Sequence, residues 1–259
     1  MCLSYCINLF LKPIAKQINM RIQKHIPNFI TLLNLFCGCV ALVYLANSNF
    51  LMAFSMVCLG IFFDFFDGFF ARLLKVSSPL GLQLDSLADM VTSGVVPGFM
   101  MYKLLCNPNF FGSESLFPYA GFIITLGACY RLANFNIDTR QTDSFIGLPT
   151  PANALFFLAL PLISEAFSND NFTGIIFNKF VLLGLAFLSA YIMNAEIPLF
   201  SLKIKSFDMK DNKLAIIFVG LSAIIIGFFQ FLGIALVIVF YVLLSVIFNL
   251  TKKKMDNNA

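Results

Sequence analysis

Apolar runs of membrane-spanning length recur near 29–47, 50–74, 81–105, 117–137, 151–167, 178–200, 214–229 and 231–250. Each approaches the roughly 20 residues that a helix needs to cross a ~30 Å hydrocarbon core. The pattern predicts an all-α polytopic membrane protein with about eight transmembrane helices. The last two runs meet at Phe228-Phe-Gln-Phe-Leu-Gly233, which reads as a tight hairpin or a break in one long segment. Ahead of the first run, Lys12, Lys16, Arg21 and Lys24 interleave with Ile14, Ile18, Ile22 and Ile26, as in an interfacial amphipathic helix. The leading apolar stretch Cys2–Leu11 precedes its positive charges, and no small-residue cleavage site follows, so it is not read as a signal peptide. Met20 is an alternative start, with residues 1–19 then outside the protein. The expected organisation is an interfacial segment over 1–26, a membrane core over 27–200, and a helix pair with a basic tail over 201–259.

Basic residues set the expected orientation. With the N-terminus inside, fifteen of the 17 Lys and Arg fall on the cytoplasmic side. These include Arg72 and Lys75 after the second run, Arg131 and Arg140 after the fourth, and Lys203, Lys205, Lys210 and Lys213 before the seventh. Only Lys103 and Lys179 fall near the outer face. Both termini are therefore expected in the cytoplasm and the protein in the cell (inner) membrane. Composition agrees: 59% hydrophobic, 12% charged and a mean hydropathy of +0.88 leave no polar stretch long enough for a soluble domain. The +4 charge is assigned to the anionic lipid surface and not to nucleic acid. The seven cysteines contain no Cys-x-x-Cys pair and read as small apolar packing residues; His25 reads as interfacial.

Against this apolar background, Asp64, Asp67, Asp85 and Asp89 stand out. An ionised Asp at a bilayer centre costs roughly 2.5–3.5 kcal/mol, so four unpaired would cost on the order of 10 kcal/mol. Placement near the cytoplasmic boundary lowers that figure. Asp64, Asp67, Gly68, Ala71 and Arg72 share one helix face, and Gly81, Asp85 and Asp89 share a face of the next helix. A short turn through Val76–Leu80 places the two helices antiparallel, so all four carboxylates meet at similar depth. Oxygen-only ligands suit Mg²⁺ or Mn²⁺, and two such ions would balance four carboxylates. Paired metals serve displacement at phosphorus. The small residues leave room for a polyphosphate, with Arg72 as its clamp. Structural helix contacts and a divalent-cation transporter are the other readings of intramembrane acids.

The run Asp64-x2-Asp67-Gly68-x2-Ala71-Arg72-x8-Gly81-x3-Asp85-x3-Asp89 resembles the signature of the CDP-alcohol phosphatidyltransferases. Pro27-Asn28-x-x-Thr31-x-x-Asn34 resembles the family's entry segment. The resemblance implies transfer of a phosphatidyl group from a CDP-linked lipid to an alcohol, with release of CMP. It implies that Asp64, Asp67, Asp85 and Asp89 surround a divalent metal pair. Asp67, Gly68, Ala71, Arg72 and Gly81 would line the CDP-lipid site, joined by Asn28 and Thr31, for which helix capping is the alternative. Asp89 would be the general base, taking the proton of the attacking hydroxyl. Family members are commonly homodimers.

A second stretch concerns the acceptor. Tyr130-Arg131-Leu-Ala-Asn134-Phe-Asn136 and Phe145-Ile-Gly-Leu-Pro-Thr-Pro-Ala152 resemble the phosphatidylserine synthase branch, with Asn134 where that branch often has a second Arg. The resemblance implies CDP-diacylglycerol as donor and serine as acceptor. Arg131 would pair with the serine carboxylate and Asn136 would hydrogen-bond it. Glycerol 3-phosphate and inositol phosphate are the alternative acceptors. The resemblance spans roughly 27–200.

Overall fold

The computed structural model describes residues 25–76, 78–106, 116–138, 146–167, 171–199 and 213–256. Most of the expected interfacial helix, together with Arg140, Lys203, Lys205 and Lys210, lies outside them. The described chain is helical apart from its turns and one isolated antiparallel bridge, Ile146 to Pro198. Helix α1 spans His25–Ala46 and α2 Phe50–Leu74. Helix α3 (Pro79–Asp89) passes through a π-helical turn, Met90–Val95, into α4 (Val96–Leu105). A 3₁₀ turn, Phe117–Phe122, leads into α5 (Ile123–Ile137). Helices α6 (Thr150–Ala166), α7 (Asn171–Ile176), α8 (Lys179–Asn194) and α9 (Lys213–Asp256) complete the order.

Helices α1, α2 and the stretch Ile216–Ile247 of α9 are long and apolar enough to cross a membrane. Helices α6 and α8 are apolar but shorter, at 17 and 16 residues. Three details depart from the run lengths read in the sequence. The apolar run 81–105 is not one uniform α-helix, the run 178–200 stops being helical at Asn194, and α7 was not expected. Helix α9 is broken at Gln230, whose φ of 47° and ψ of −119° are non-helical. Phe218 stacks on Phe240 across the break, with centroids 6.1 Å apart and planes 10° apart, so the two halves fold back as a hairpin.

The helices carry their polarity inside. Phe29, Leu32, Phe36 and Val43 form the exposed stripe of α1, and Leu59, Phe62, Phe65, Phe69 and Leu73 that of α2. Their three- and four-residue spacing is that of one helix face, and apolar lipid tails suit it. The opposite faces bury Thr31, Asn34 and Asp67. One apolar core joins α1, α2, α4 and α6 around Leu45, Val57, Met100 and Leu158. A second joins α4, α5, α6 and α8 around Met101, Ile124, Phe157 and Leu182.

The turn between α2 and α3 fixes the site's entrance. Lys75 takes the left-handed conformation (φ 54°), and Val76 N–H donates to the Ala71 carbonyl at 3.0 Å, closing the end of α2. Ser78 caps α3, its Oγ accepting from Gly81 N–H at 3.0 Å, with Pro79 in the first turn. At the other end of α1, Lys103 Nζ donates to the carbonyls of Leu45 (2.6 Å) and Ala46 (2.9 Å) and to Ser48 Oγ (2.9 Å). A cation on the last carbonyls of a helix satisfies orphan acceptors and opposes the negative end of the dipole. That role accounts for one of the two basic residues expected near the outer face.

Candidate active site

Helices α2 and α3 bring the acids together as their spacing implies. Carboxylate oxygens of Asp64, Asp67 and Asp85 lie within 4.8 Å of one another. Asp64 and Asp85 approach closely enough for their like charges to repel, which favours a proton or a cation between them. Asp67 is buried, and its Oδ2 accepts a 2.5 Å hydrogen bond from Thr31 Oγ1. Three convergent carboxylates with no nitrogen or sulfur donor fit a hard divalent cation. The donor set matches the metal reading.

Asp89 stands outside that trio, where α3 passes into the π turn. Its Oδ1 accepts a 3.1 Å hydrogen bond from Asn34 Nδ2. Arg131 of α5 is near enough for its positive charge to act on Asp89. The π turn has a local cause. Pro97 has no N–H to give a carbonyl one turn back, and its ring crowds the residue four before it. The ladder slips to a wider pattern there, with Val96 N–H donating to Val91. The Gly94 carbonyl accepts instead from Thr125 Oγ1 at 3.0 Å, and Thr92 Oγ1 donates to the Asn34 carbonyl at 3.1 Å. Through Thr92, the turn also holds the residue that holds Asp89.

Small residues make this approach feasible. A methyl group on Gly60 would sit 2.8 Å from Asn34 Oδ1 and 2.9 Å from Thr92 Cγ2, and one on Gly38 would sit 2.5 Å from Thr92 Oγ1. Near the entrance, a methyl on Gly81 would sit 3.2 Å from Asn28 Oδ1, so Asn28 borders α3. Gly68 leaves open the space beside the exposed Arg72 guanidinium, 3.5 Å from where its side chain would begin. Ala71, half-buried, keeps the same face of α2 small. Helix α1 is already under way at His25, so neither Asn28 nor Thr31 is its N-cap. The capping alternative gives way to side chains turned toward α2 and α3.

The acceptor candidates lie on α5. Arg131 is 8% exposed, and its Nε finds no acceptor among the described residues. Asn136 is engaged by α3: its Nδ2 donates to Ser86 Oγ at 2.8 Å, next to Asp85. Arg131 opens onto a cavity of about 350 Å³ that Asn134, Asp138, Asn194 and Glu196 also line. The far wall is fixed by the stretch Ile146–Leu148: Gly147 N–H donates to the Ile197 carbonyl (2.9 Å) and Leu148 N–H to that of Ile192 (3.2 Å). Gly147 has φ +73°, and a side chain there would meet the Met193 carbonyl at 2.3 Å. Gly147 and Leu148 thus form a strap tied by backbone hydrogen bonds to the end of α8, just before α6 begins at Thr150.

The family model for "CDP-alcohol phosphatidyltransferase" matches residues 24–202, well over half of the chain. The chain belongs to the CDP-alcohol phosphatidyltransferase family. Among its curated relatives, the CDP-diacylglycerol–serine O-phosphatidyltransferase of Helicobacter pylori is 35% identical over 199 residues, covering 75% of this chain and 80% of the relative. Proteins of the same name from Bacillus subtilis and Methanocaldococcus jannaschii are 37% and 35% identical over 133 residues. The first covers 50% of this chain and 71% of the relative, the second 51% and 58%. In this phosphatidyltransferase chain, sequence reasoning left three polar residues without a role. Asn34 was legible as the third member of an i, i+3, i+6 series with Asn28 and Thr31. Asn194 and Glu196, far from Arg131 in sequence, gave no signal.

Proposed function

We propose that this protein transfers the phosphatidyl group of CDP-diacylglycerol to the hydroxyl of L-serine, giving phosphatidylserine and CMP. The observation that carries the reading is the convergence of Asp64, Asp67 and Asp85, with Asp89 between Asn34 and Arg131. It is supported by the family and by the names of the relatives above. Bound divalent cation, Mg²⁺ or Mn²⁺ and by charge count two, would offset the pyrophosphate's charge. Asp64, Asp67 and Asp85 would hold it, with Asp89 as a fourth ligand. Thr31 orients Asp67. Arg72 and Gly68 face the donor's phosphates at the end of α2, while Ala71, Gly81 and Asn28 bound the nucleotide.

The serine hydroxyl attacks the lipid-side phosphorus, the bond from that phosphorus to the CMP oxygen breaks, and the hydroxyl proton passes to Asp89. A carboxylate held by one amide donor keeps a second oxygen for that proton. Arg131 pairs with the serine carboxylate, and Asn136 adds a contact from an amide it shares with Ser86. Phosphorylated acceptors would ask for more cationic side chains than Arg131 supplies. The same reading takes eight spans, a cytoplasmic site, both termini in the cytoplasm, and a homodimer in the inner membrane.

The test is CMP release by the purified protein with CDP-diacylglycerol and Mg²⁺ or Mn²⁺, comparing serine, glycerol 3-phosphate and inositol phosphate. Serine-dependent release is expected. No release with any acceptor would end the enzymatic reading, and release with a phosphorylated alcohol alone would end the serine assignment. Asp89→Asn should abolish turnover while donor binding persists; a variant that loses donor binding but keeps turnover per bound donor would overturn the base role.

A further inference from the structure

The mechanism uses Arg131 but leaves the rest of its cavity without a task. Two of the residues that line it carry buried polar atoms without partners among the described residues. One is a donor, Arg131 Nε, on a side chain more than nine-tenths buried; the other is an acceptor, Asn194 Oδ1. The identity of the second atom is fixed by its neighbours. The amide nitrogen of Asn194 donates to the carbonyls of Gly127 and Ala190, both at 2.9 Å, and an oxygen turned that way would face two other oxygens. A buried donor and a buried acceptor left unsatisfied each cost free energy, and a ligand carrying both signs relieves both.

The charges around the cavity extend this pattern. Arg131 marks one end, near enough to Asp89 for their charges to interact. Asp138 and Glu196 border the same space, Asp138 just past the end of α5, seven residues after Arg131, and Glu196 two residues beyond Asn194. We propose that this cavity reads the acceptor as a zwitterion, with Asn194 Oδ1 and the Glu196 and Asp138 carboxylates receiving its α-ammonium while Arg131 holds its carboxylate. The assignment rests on the serine reading above and adds the residues that select an amino acid. A volume of about 350 Å³ lies at the small end of ligand pockets, in keeping with a small polar acceptor. The two carboxylates also select against the alternatives: a phosphate monoester brings two negative charges toward them and no ammonium to offset them. One clamp both attracts serine and repels its phosphorylated competitors.

The experiment compares the full-length wild type with Glu196→Gln and Glu196→Lys, reading CMP release as serine and CDP-diacylglycerol are varied separately. Glu196 is exposed on the irregular stretch that follows α8. Glu196→Gln should raise the KM for serine about tenfold, as expected for a charge-assisted contact partly screened by solvent, with the KM for CDP-diacylglycerol moving less than twofold. Glu196→Lys should raise it further and increase use of glycerol 3-phosphate relative to serine. A wild type that uses serine, with serine KM unchanged in both variants, overturns this assignment alone. Equal rises in both KM values also overturn it, since they would mark a general disturbance. A wild type that does not use serine overturns the acceptor reading and this one with it.

Discussion

Gly60→Ala separates the positioning of Asp89 from the stability of the bundle. The added methyl would lie 2.8 Å from Asn34 Oδ1 and 2.9 Å from Thr92 Cγ2, with Cys37 Cβ at an ordinary 3.4 Å. Both short contacts are too close to persist, so both neighbours must adjust, and the softer one moves further. Thr92 is β-branched, buried and anchored through its hydroxyl to the Asn34 carbonyl, so its methyl is stiff. The Asn34 amide is a terminal group, and its Oδ1 has no partner to lose among the described residues. It should rotate first and take Nδ2 off Asp89. A hydrogen bond to a charged group is worth about 1.5–3 kcal/mol, which at 1.4 kcal/mol per decade is roughly a 10- to 100-fold fall in kcat. Stability should change less: overpacking costs about 1–3 kcal/mol, and alanine recovers up to about 1 kcal/mol over glycine in a helix. The assay is steady-state CMP release beside a thermal melt in detergent. Gly184→Ala on α8, where a methyl meets nothing within 4 Å, is the matched control and should keep wild-type turnover. Wild-type kcat in Gly60→Ala would refute the reasoning, because the amide would then not be what holds the base in place.

The carboxylate trio should respond to metal in a way that needs no turnover. Mg²⁺ should raise the melting temperature of the wild type, since a ligand bound only by the folded state stabilises it. Asp64→Asn should melt higher than wild type in EDTA, because it removes one of three crowded like charges, and should lose the Mg²⁺ response; a wild type indifferent to Mg²⁺ would count against a metal site. Lys103→Met should lower stability by about 1–2 kcal/mol, seen as a drop of roughly 2–4 °C per kcal/mol, by uncovering the end of α1. Its serine and donor KM values should not move, and an unchanged melt would show that solvent caps that end equally well.

How much was legible follows from the range of each interaction. The aspartates of α2 and α3 were readable because a 3.6-residue period and a short Ser-Pro turn fix both their face and their depth. The hairpin in α9 was readable from Phe228–Gly233, though only the stacking of Phe218 on Phe240 decides it against a simple break. The π turn had a signal in Pro97, but periodicity cannot say whether a proline kinks a helix, ends it or widens it. Asn194 and Glu196 could not be found locally. They reach Arg131 because α8 packs along α5, with Asn194 Nδ2 donating to the Gly127 carbonyl, and no helical period connects those positions.

Under the proposed mechanism the carboxylates do different work. Asp64, Asp67 and Asp85 face one another, and Thr31 reaches Asp67 from α1, so α1 to α3 can assemble a donor site alone. The polar cavity belongs to α5, the end of α8 and the Ile146–Leu148 strap. Asp89 is the carboxylate that both halves touch, held by Asn34 from the donor side and facing Arg131 from the acceptor side. A general base needs that place, since the proton it takes arrives on the acceptor while the bond it helps to break belongs to the donor. It follows that changes on the donor side of Asp89, such as Gly60→Ala, should act on kcat. Changes at the far end of the cavity, such as Glu196→Gln, should act on serine KM. Both should slow the same step from opposite sides, and their effects on kcat/KM should multiply, because Gly60 and Glu196 share no partner.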